Sequence, residues 1–165
     1  MKIEGSVRLG VKTKDLVKKL KEGEIAVIDH QDLDQLAAKS LIKSNVKAVV
    51  NNSQSMSGKY PNLGPEKLFE AGIVIIDCLE QNIFELLKKK KKIKIIENEI
   101  IKEDKVIAKG QKLSLDFIER KLKLAQKNLA VELDKFIDNT LNYAKQEKDL
   151  ILGLNSPEIN TSLAK

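Results

Sequence analysis

Tryptophan is absent from this 165-residue chain, arginine occurs only as Arg8 and Arg120, and aromatic residues make up 4% of it. A nucleic-acid-binding face ordinarily spreads Arg and aromatic side chains over a surface, so their scarcity argues against a nucleic-acid partner. The single cysteine, Cys78, excludes an intrachain disulfide. With His30 the one histidine, no Cys/His set has zinc-ligand spacing, and a protein of the reducing cytoplasm is expected. No apolar run approaches the roughly 20 residues that cross a bilayer. The first ten residues, MKIEGSVRLG, lack the apolar core of a signal peptide.

Lysine, by contrast, is abundant. The chain carries 30 basic and 24 acidic residues, a net charge of +6. One heptapeptide, Lys88–Lys94 (KKKKKIK), holds six lysines and no acid; without those six, the remaining basic residues balance the acidic ones. The basicity is therefore a local feature, read as a solvated turn and at most a contact point for an anionic surface. At 42% hydrophobic and 33% charged, the chain is of globular composition.

The first two thirds alternate strand-like and helix-like segments. Ile3–Leu9 reads as a strand, and Thr13 as the cap of a short helix, 14–20, with Leu16, Val17 and Leu20 on one face. IAVI (25–28), VKAVV (46–50) and IVII (73–76) are short apolar runs of the kind buried on both faces of a sheet. Between them fall a helix ending near Lys43 and another over 65–71, started by Pro65 and stopped by Gly72. This β-α-β-α-β order predicts parallel strands with right-handed crossovers. A short helix at 82–87 and three antiparallel strands (93–96, 99–101, 105–108), turning near Asn98 and Asp104, complete the domain.

From Ser114, an expected N-cap, to about Lys148 there is no Pro or Gly. Ile118, Leu122, Ala125, Leu129, Leu133, Phe136, Thr140 and Ala144 recur at three- and four-residue steps, the stripe of a long helix. A helix of about 35 residues is about 52 Å long, longer than the roughly 35 Å expected across the preceding domain. Its stripe, continuing through Ile137 and Leu141, therefore needs a partner: a second chain, or the helix itself folded back at a break. The tail NSPEINTSLAK reads as a linker.

Candidate chemistry gathers at predicted strand ends. Asp29, His30 and Asp32 follow the IAVI run, where α/β folds often place sites. The competing reading makes Asp32 the cap of the next helix, with Gln35 closing a capping box. The polar loop 51–64 contains Gly58-Lys59, half of a P-loop; Ser53 and Tyr60 stand where that motif requires Gly and Ser/Thr, so the motif fails. A small-residue loop leading into a helix can nevertheless receive an anion. The ligand-binding candidates are thus Asp29, His30, Asn51, Asn52, Ser57, Gly58, Lys59, Tyr60 and Asn62. Cys78, after a buried strand, reads as a packed small residue rather than a nucleophile.

The runs TKDLVKKLKEGEIAVIDHQDLDQLAAKSLI, AVVNNSQSMSGKYPNLGP, LFEAGIVIID and FIDNTLNYAKQEKDLIL resemble the N-terminal region of the SteA-type cytokinetic ring proteins, a thiamine-pyrophosphokinase-like bacterial family. The resemblance covers nearly the whole chain. It implies a C-terminal domain similar to thiamine pyrophosphokinase beyond Lys165, then a hydrophobic tail. It also implies a role in septum formation and daughter-cell separation beside a membrane protein, hence membrane association of a longer chain. More distantly, the order of strands and helices is similar to the swivelling phosphohistidine domain of phosphoenolpyruvate-using enzymes. Ser55-Met56-Ser57-Gly58-Lys59 occupies the place of that family's Thr-Ser-His run, so the phosphate-accepting histidine is missing, and His30 lies on an earlier loop.

Together these features predict an α/β protein. A swivelling β/β/α-type domain (1–112) precedes a long amphipathic connecting helix (113–152) and a linker (153–165) to an absent C-terminal domain. The expected function is non-catalytic: a homodimer formed through Leu122, Leu129, Leu133, Phe136, Ile137 and Leu141, with no cofactor, metal or catalytic residue in this segment. The alternative is a small-molecule- or phosphate-binding, or catalytic, domain of a thiamine-pyrophosphokinase-like enzyme.

Overall fold

A computed structural model describes residues 1–88 and 92–153. Lys89–Lys91, the centre of the lysine-rich segment, and the tail from Leu154 lie outside the described residues. Strands β1 (Lys2–Gly10), β2 (Ile25–Ile28), β3 (Ala48–Asn51) and β4 (Val74–Asp77) run parallel side by side. Helices α1 (Thr13–Leu16), α2 (Gln35–Lys43) and α3 (Gly64–Glu70) follow the first three strands. After α4 (Ile83–Leu86) come β5 (Lys92–Ile96), β6 (Glu99–Lys102), β7 (Lys105–Lys109) and the two-residue β8 (Gln111–Lys112). The eight strands form one mixed sheet in the order β7-β6-β5-β1-β2-β3-β4-β8. The α/β class and the parallel centre agree with the sequence reading.

The apolar runs form the central strands because their residues are covered on one face or the other: all of Ile25–Ile28 and Ala48–Asn51 are buried, as are Ile75 to Asp77. Ile25, Val27, Ala48, Val50 and Ile76 join one core with Ile83 and Leu87 around α4 and with Ile93, Ile95, Ile100 and Ala108 of β5–β7. Ala26, Ile28, Val49 and Ile75 point to the other face, against Leu16, Leu41, Leu68 and Ile118. β1 has two unlike neighbours: its second half pairs parallel with β2, its first half antiparallel with β5. The Arg8 guanidinium spans to Glu24 through two hydrogen bonds of 3.0 and 2.8 Å. These raise the pKa of Arg8 and lower that of Glu24.

The last helix, α5 (Leu115–Leu152), is continuous over 38 residues, so it does not fold back at a break. Ser114 caps it, its Oγ accepting from Phe117 N at 3.1 Å. The chain divides into a compact unit, Met1–Gln126, which includes the first three turns of α5, and a second unit from Lys127 onward. Within the first, Ile118 and Ala125 are buried and Leu122 packs against the α1–α3 core. That packing occupies Leu122, which the sequence assigned to a dimer contact. Among the described residues, no helix is long and apolar enough to cross a membrane.

Candidate functional site

The register of the parallel strands builds the site. Gly10, Ile28, Asn51 and Asp77 are paired in one row across the C-terminal ends of β1–β4. The loops leaving those positions meet above the row, at the sheet edge where α/β proteins usually hold ligands.

Asn51 is fully buried and uses the whole hydrogen-bonding capacity of its amide. Oδ1 accepts from His30 N and Ser53 N, each at 3.0 Å. Nδ2 donates to His30 O at 2.9 Å and to Ser55 Oγ at 2.8 Å. Ser55 in turn donates its hydroxyl to Asp77 Oδ1 at 2.6 Å and its backbone N–H to Oδ2 at 2.9 Å. Burial pushes the Asp77 carboxyl up to about 6, and the two Ser55 hydrogen bonds oppose that rise. The neighbouring Cys78 thiol is pushed up to about 12 by burial and by the Asp77 charge, which keeps it a packed, unreactive group.

The loop 51–64 is laced to the loop after β2. Ser53 Oγ donates to Asp29 Oδ1. Ser57 donates through N and Oγ to the two carboxylate oxygens of Asp32, at 2.7 and 2.9 Å. Asn62 Nδ2 donates to Leu33 O and Ser55 O, and Asn52 Oδ1 accepts from Ile83 N. Asp29, His30, Asn51, Ser57 and Asn62 are thus brought into one network, while the Asn52 side chain ties its loop to the start of α4. Gly58 sits at φ +83, and a Cβ there would come within 2.9 Å of Leu124. Lys59 and Tyr60 have exposed side chains, Tyr60 at 62%, and Lys59 joins the network only through its backbone N, which donates to Ser57 Oγ at 3.2 Å.

Two capping assignments change. Asp32 does not cap α2: it holds φ +52 and serves Ser57, while Asp34 is the N-cap, accepting from Ala37 N at 2.7 Å. Thr13 does not cap α1, whose N-cap is Lys12. The Thr13 hydroxyl instead lies 2.9 Å from His30 Nδ1, and His30 Nε2 lies 3.3 Å from Asp34 Oδ2. With the ring proton on Nε2, His30 donates to Asp34 and accepts from Thr13. These three residues, with Lys14, Val17 and Leu36, line a cleft of about 350 Å³ between α1 and α2. That volume is at the lower end of small-molecule sites. Among the described residues, no group of His, Cys, Asp and Glu is arranged to hold a metal ion.

The sequence reading missed Thr13, Asp34, Ser55 and Asp77. Asp77 had a visible signal: a carboxylate directly ending the apolar run IVII is carried into the sheet edge with its strand. Gly64 was placed correctly at a helix start, but its role is steric. A Cβ there would stand 2.2 Å from Leu33 O and 2.6 Å from Asp34 O. Gly64→Ala is expected to lower stability by about 2 kcal/mol, because backbone rather than a side chain must yield. Urea unfolding reads this directly; an unchanged midpoint would show that the two loops part freely.

No family model matches the chain, and no curated protein matches it. Among solved structures it is similar to 3-isopropylmalate dehydratase (leuD) from Methanocaldococcus jannaschii, at 16% identity over 77% of this chain and 98% of that one. The TM-score is 0.44.

Proposed function

We propose that the chain is a self-associating, non-catalytic module. By its resemblance to SteA-type proteins, it positions a thiamine-pyrophosphokinase-like domain for cell division or daughter-cell separation, beside a membrane-protein partner. The observation that carries this reading is the exposed apolar surface of the second unit. Leu133 and Ile137 are each 50% exposed, Leu141 63% and Phe136 67%, all on one continuous helix. Isolated exposed apolar residues are ordinary, whereas a contiguous row of large ones marks an interaction surface. The saturated network at the strand ends supports the same reading. The polar groups of Asn51, Ser55 and Ser57 are engaged in joining loops to one another.

Light scattering at high protein concentration is expected to give twice the 18.5 kDa chain mass. Leu133→Asp with Phe136→Asp is expected to return the monomer with an unchanged circular-dichroism melt of the α/β domain. A wild-type chain that stays monomeric at hundreds of micromolar would overturn the proposal.

The cleft at His30 favours a second reading, binding of a small molecule with its anionic group at Lys14, over the apolar wall of Val17 and Leu36 and beside the His30–Asp34 pair. Nucleotides, thiamine derivatives and phosphosugars should then raise the melting temperature by several degrees at saturation. His30→Ala should abolish the shift, and no shift with any of them would count against this reading.

A further inference from the structure

The second half of α5 carries a charge pattern that an isolated helix does not explain. At 100° per residue, Asp134, Asp138, Leu141, Lys145 and Lys148 fall within one sector of about 80°. The sector borders the stripe of Leu133, Ile137 and Ala144. All eight residues are exposed. Along the helix the pattern sets like beside like: Asp134 and Asp138 are four apart, Lys145 and Lys148 three apart. Such neighbours repel, each pair costing a few tenths of a kcal/mol. Lys135 and Glu132 do pair, at 3.6 Å, on another side of the helix. Among the described residues, none of the four sector charges enters an ion pair.

We propose that residues 127–152 pair with the same segment of a second copy in the antiparallel sense, with Leu141 at the two-fold axis. This rests on the self-association reading above and adds direction and register to it. Reversing one helix about an axis through the pair lays a flank against the same flank of its mate. Asp134 then stands opposite the partner's Lys148 and Asp138 opposite the partner's Lys145, each pair made twice by symmetry. Leu141 meets the partner's Leu141. On the adjoining stripe, Ile137 comes opposite the partner's Ala144 and Leu133 near the partner's Ile151, large against small at the first of these layers. A parallel pair would instead set the sector against the opposite flank, which carries Glu132, Phe136, Thr140, Tyr143 and Glu147 and no lysine, so Asp134 and Asp138 would meet no cation. Charges flanking a helical seam select orientation and register in this way.

The test uses the 165-residue chain. Asp134→Lys with Asp138→Lys, and separately Lys145→Asp with Lys148→Asp, should each weaken the dimer about tenfold or more in sedimentation equilibrium. An equimolar mixture of the two variants should recover wild-type affinity or better. Spin labels then fix the direction, and the burial of Cys78 confines labelling to the introduced cysteine. Labels on Leu141→Cys should lie within about 20 Å of each other. Labels on Leu152→Cys should lie about 33 Å apart, each standing eleven residues from the axis at 1.5 Å per residue. Short distances at both positions would establish a parallel pair and overturn this proposal while leaving self-association standing. A dimer indifferent to all four charge reversals would also overturn it. A monomeric wild-type chain would overturn both readings.

Discussion

Asn51→Ala is expected to destabilise the protein by about 4 kcal/mol, the largest effect of any single substitution considered. The alanine leaves His30 N, His30 O, Ser53 N and Ser55 Oγ without their partner, at a position with no access to water. Each unsatisfied buried group costs about 1–3 kcal/mol, so partial relaxation of the loops still leaves a loss of that size. Asn51→Asp separates the two halves of the amide. It keeps an acceptor for His30 N and Ser53 N, loses both donated bonds, and places a second carboxylate beside the Ser55–Asp77 pair. It should be nearly as damaging at neutral pH and milder in acid. Urea unfolding at pH 5 and pH 8 compares the variants. A loss below about 1 kcal/mol for Asn51→Ala would show that water or loop movement replaces the amide.

The second large effect is a pH dependence centred on Asp77. Its carboxyl titrates at about 6 in the folded protein against an ordinary 3.8. Between those values the folded state binds more protons than the unfolded state. Stability therefore falls as pH rises through the window and is lowest once Asp77 is ionised above about 6. A rise from 3.8 to about 6 corresponds to about 3 kcal/mol over the whole titration. Glu24 works in the opposite direction. Its pKa is lowered, chiefly by the Arg8 hydrogen bond, so its contribution is present above its unfolded value and is lost as pH falls through the folded one. The informative quantity is accordingly wild-type stability minus that of Asp77→Asn at each pH. That difference should decline by about 2 kcal/mol from pH 4 to pH 7. A flat difference would mean that Asp77 ionises in place without penalty.

Much of this fold was legible in the residues. IAVI, IVII and the AVV that follows Lys47 announce central strands because a strand covered on both faces tolerates unbroken apolar residues. The uninterrupted stretch after Ser114, with apolar positions every three or four residues, announces α5. The pairing of β1 was not legible. Nothing local in Lys2–Gly10 says that one end joins β2 in parallel and the other joins β5 in antiparallel fashion. β8 is too short to carry a pattern. At the candidate site, sequence spacing identified the loops but misassigned individual side chains. Asp32 and Asp34 both precede α2 and both have capping chemistry. What decides between them is Ser57, which arrives from 25 residues away to take Asp32. Thr13 has the composition of a cap, yet its hydroxyl meets His30, a partner set by strand register rather than by local sequence. Lys59 and Tyr60, candidates by residue type, have exposed side chains.

The two margins of the sheet have a consequence for how copies of this chain can assemble. Open strands invite addition of further strands, the route to fibrous aggregates. Here one margin is β8, only two residues long and beginning directly after Gly110. The other is β7, bracketed by Lys105 and Lys109 and paired to β6 through a register shift between Ile100 and Ile101. A brief margin on one side, and a lysine-flanked, irregular one on the other, disfavour edge-to-edge growth. An open-ended, strand-by-strand polymer is thereby held off, whereas the proposed pairing of helices would close at two copies.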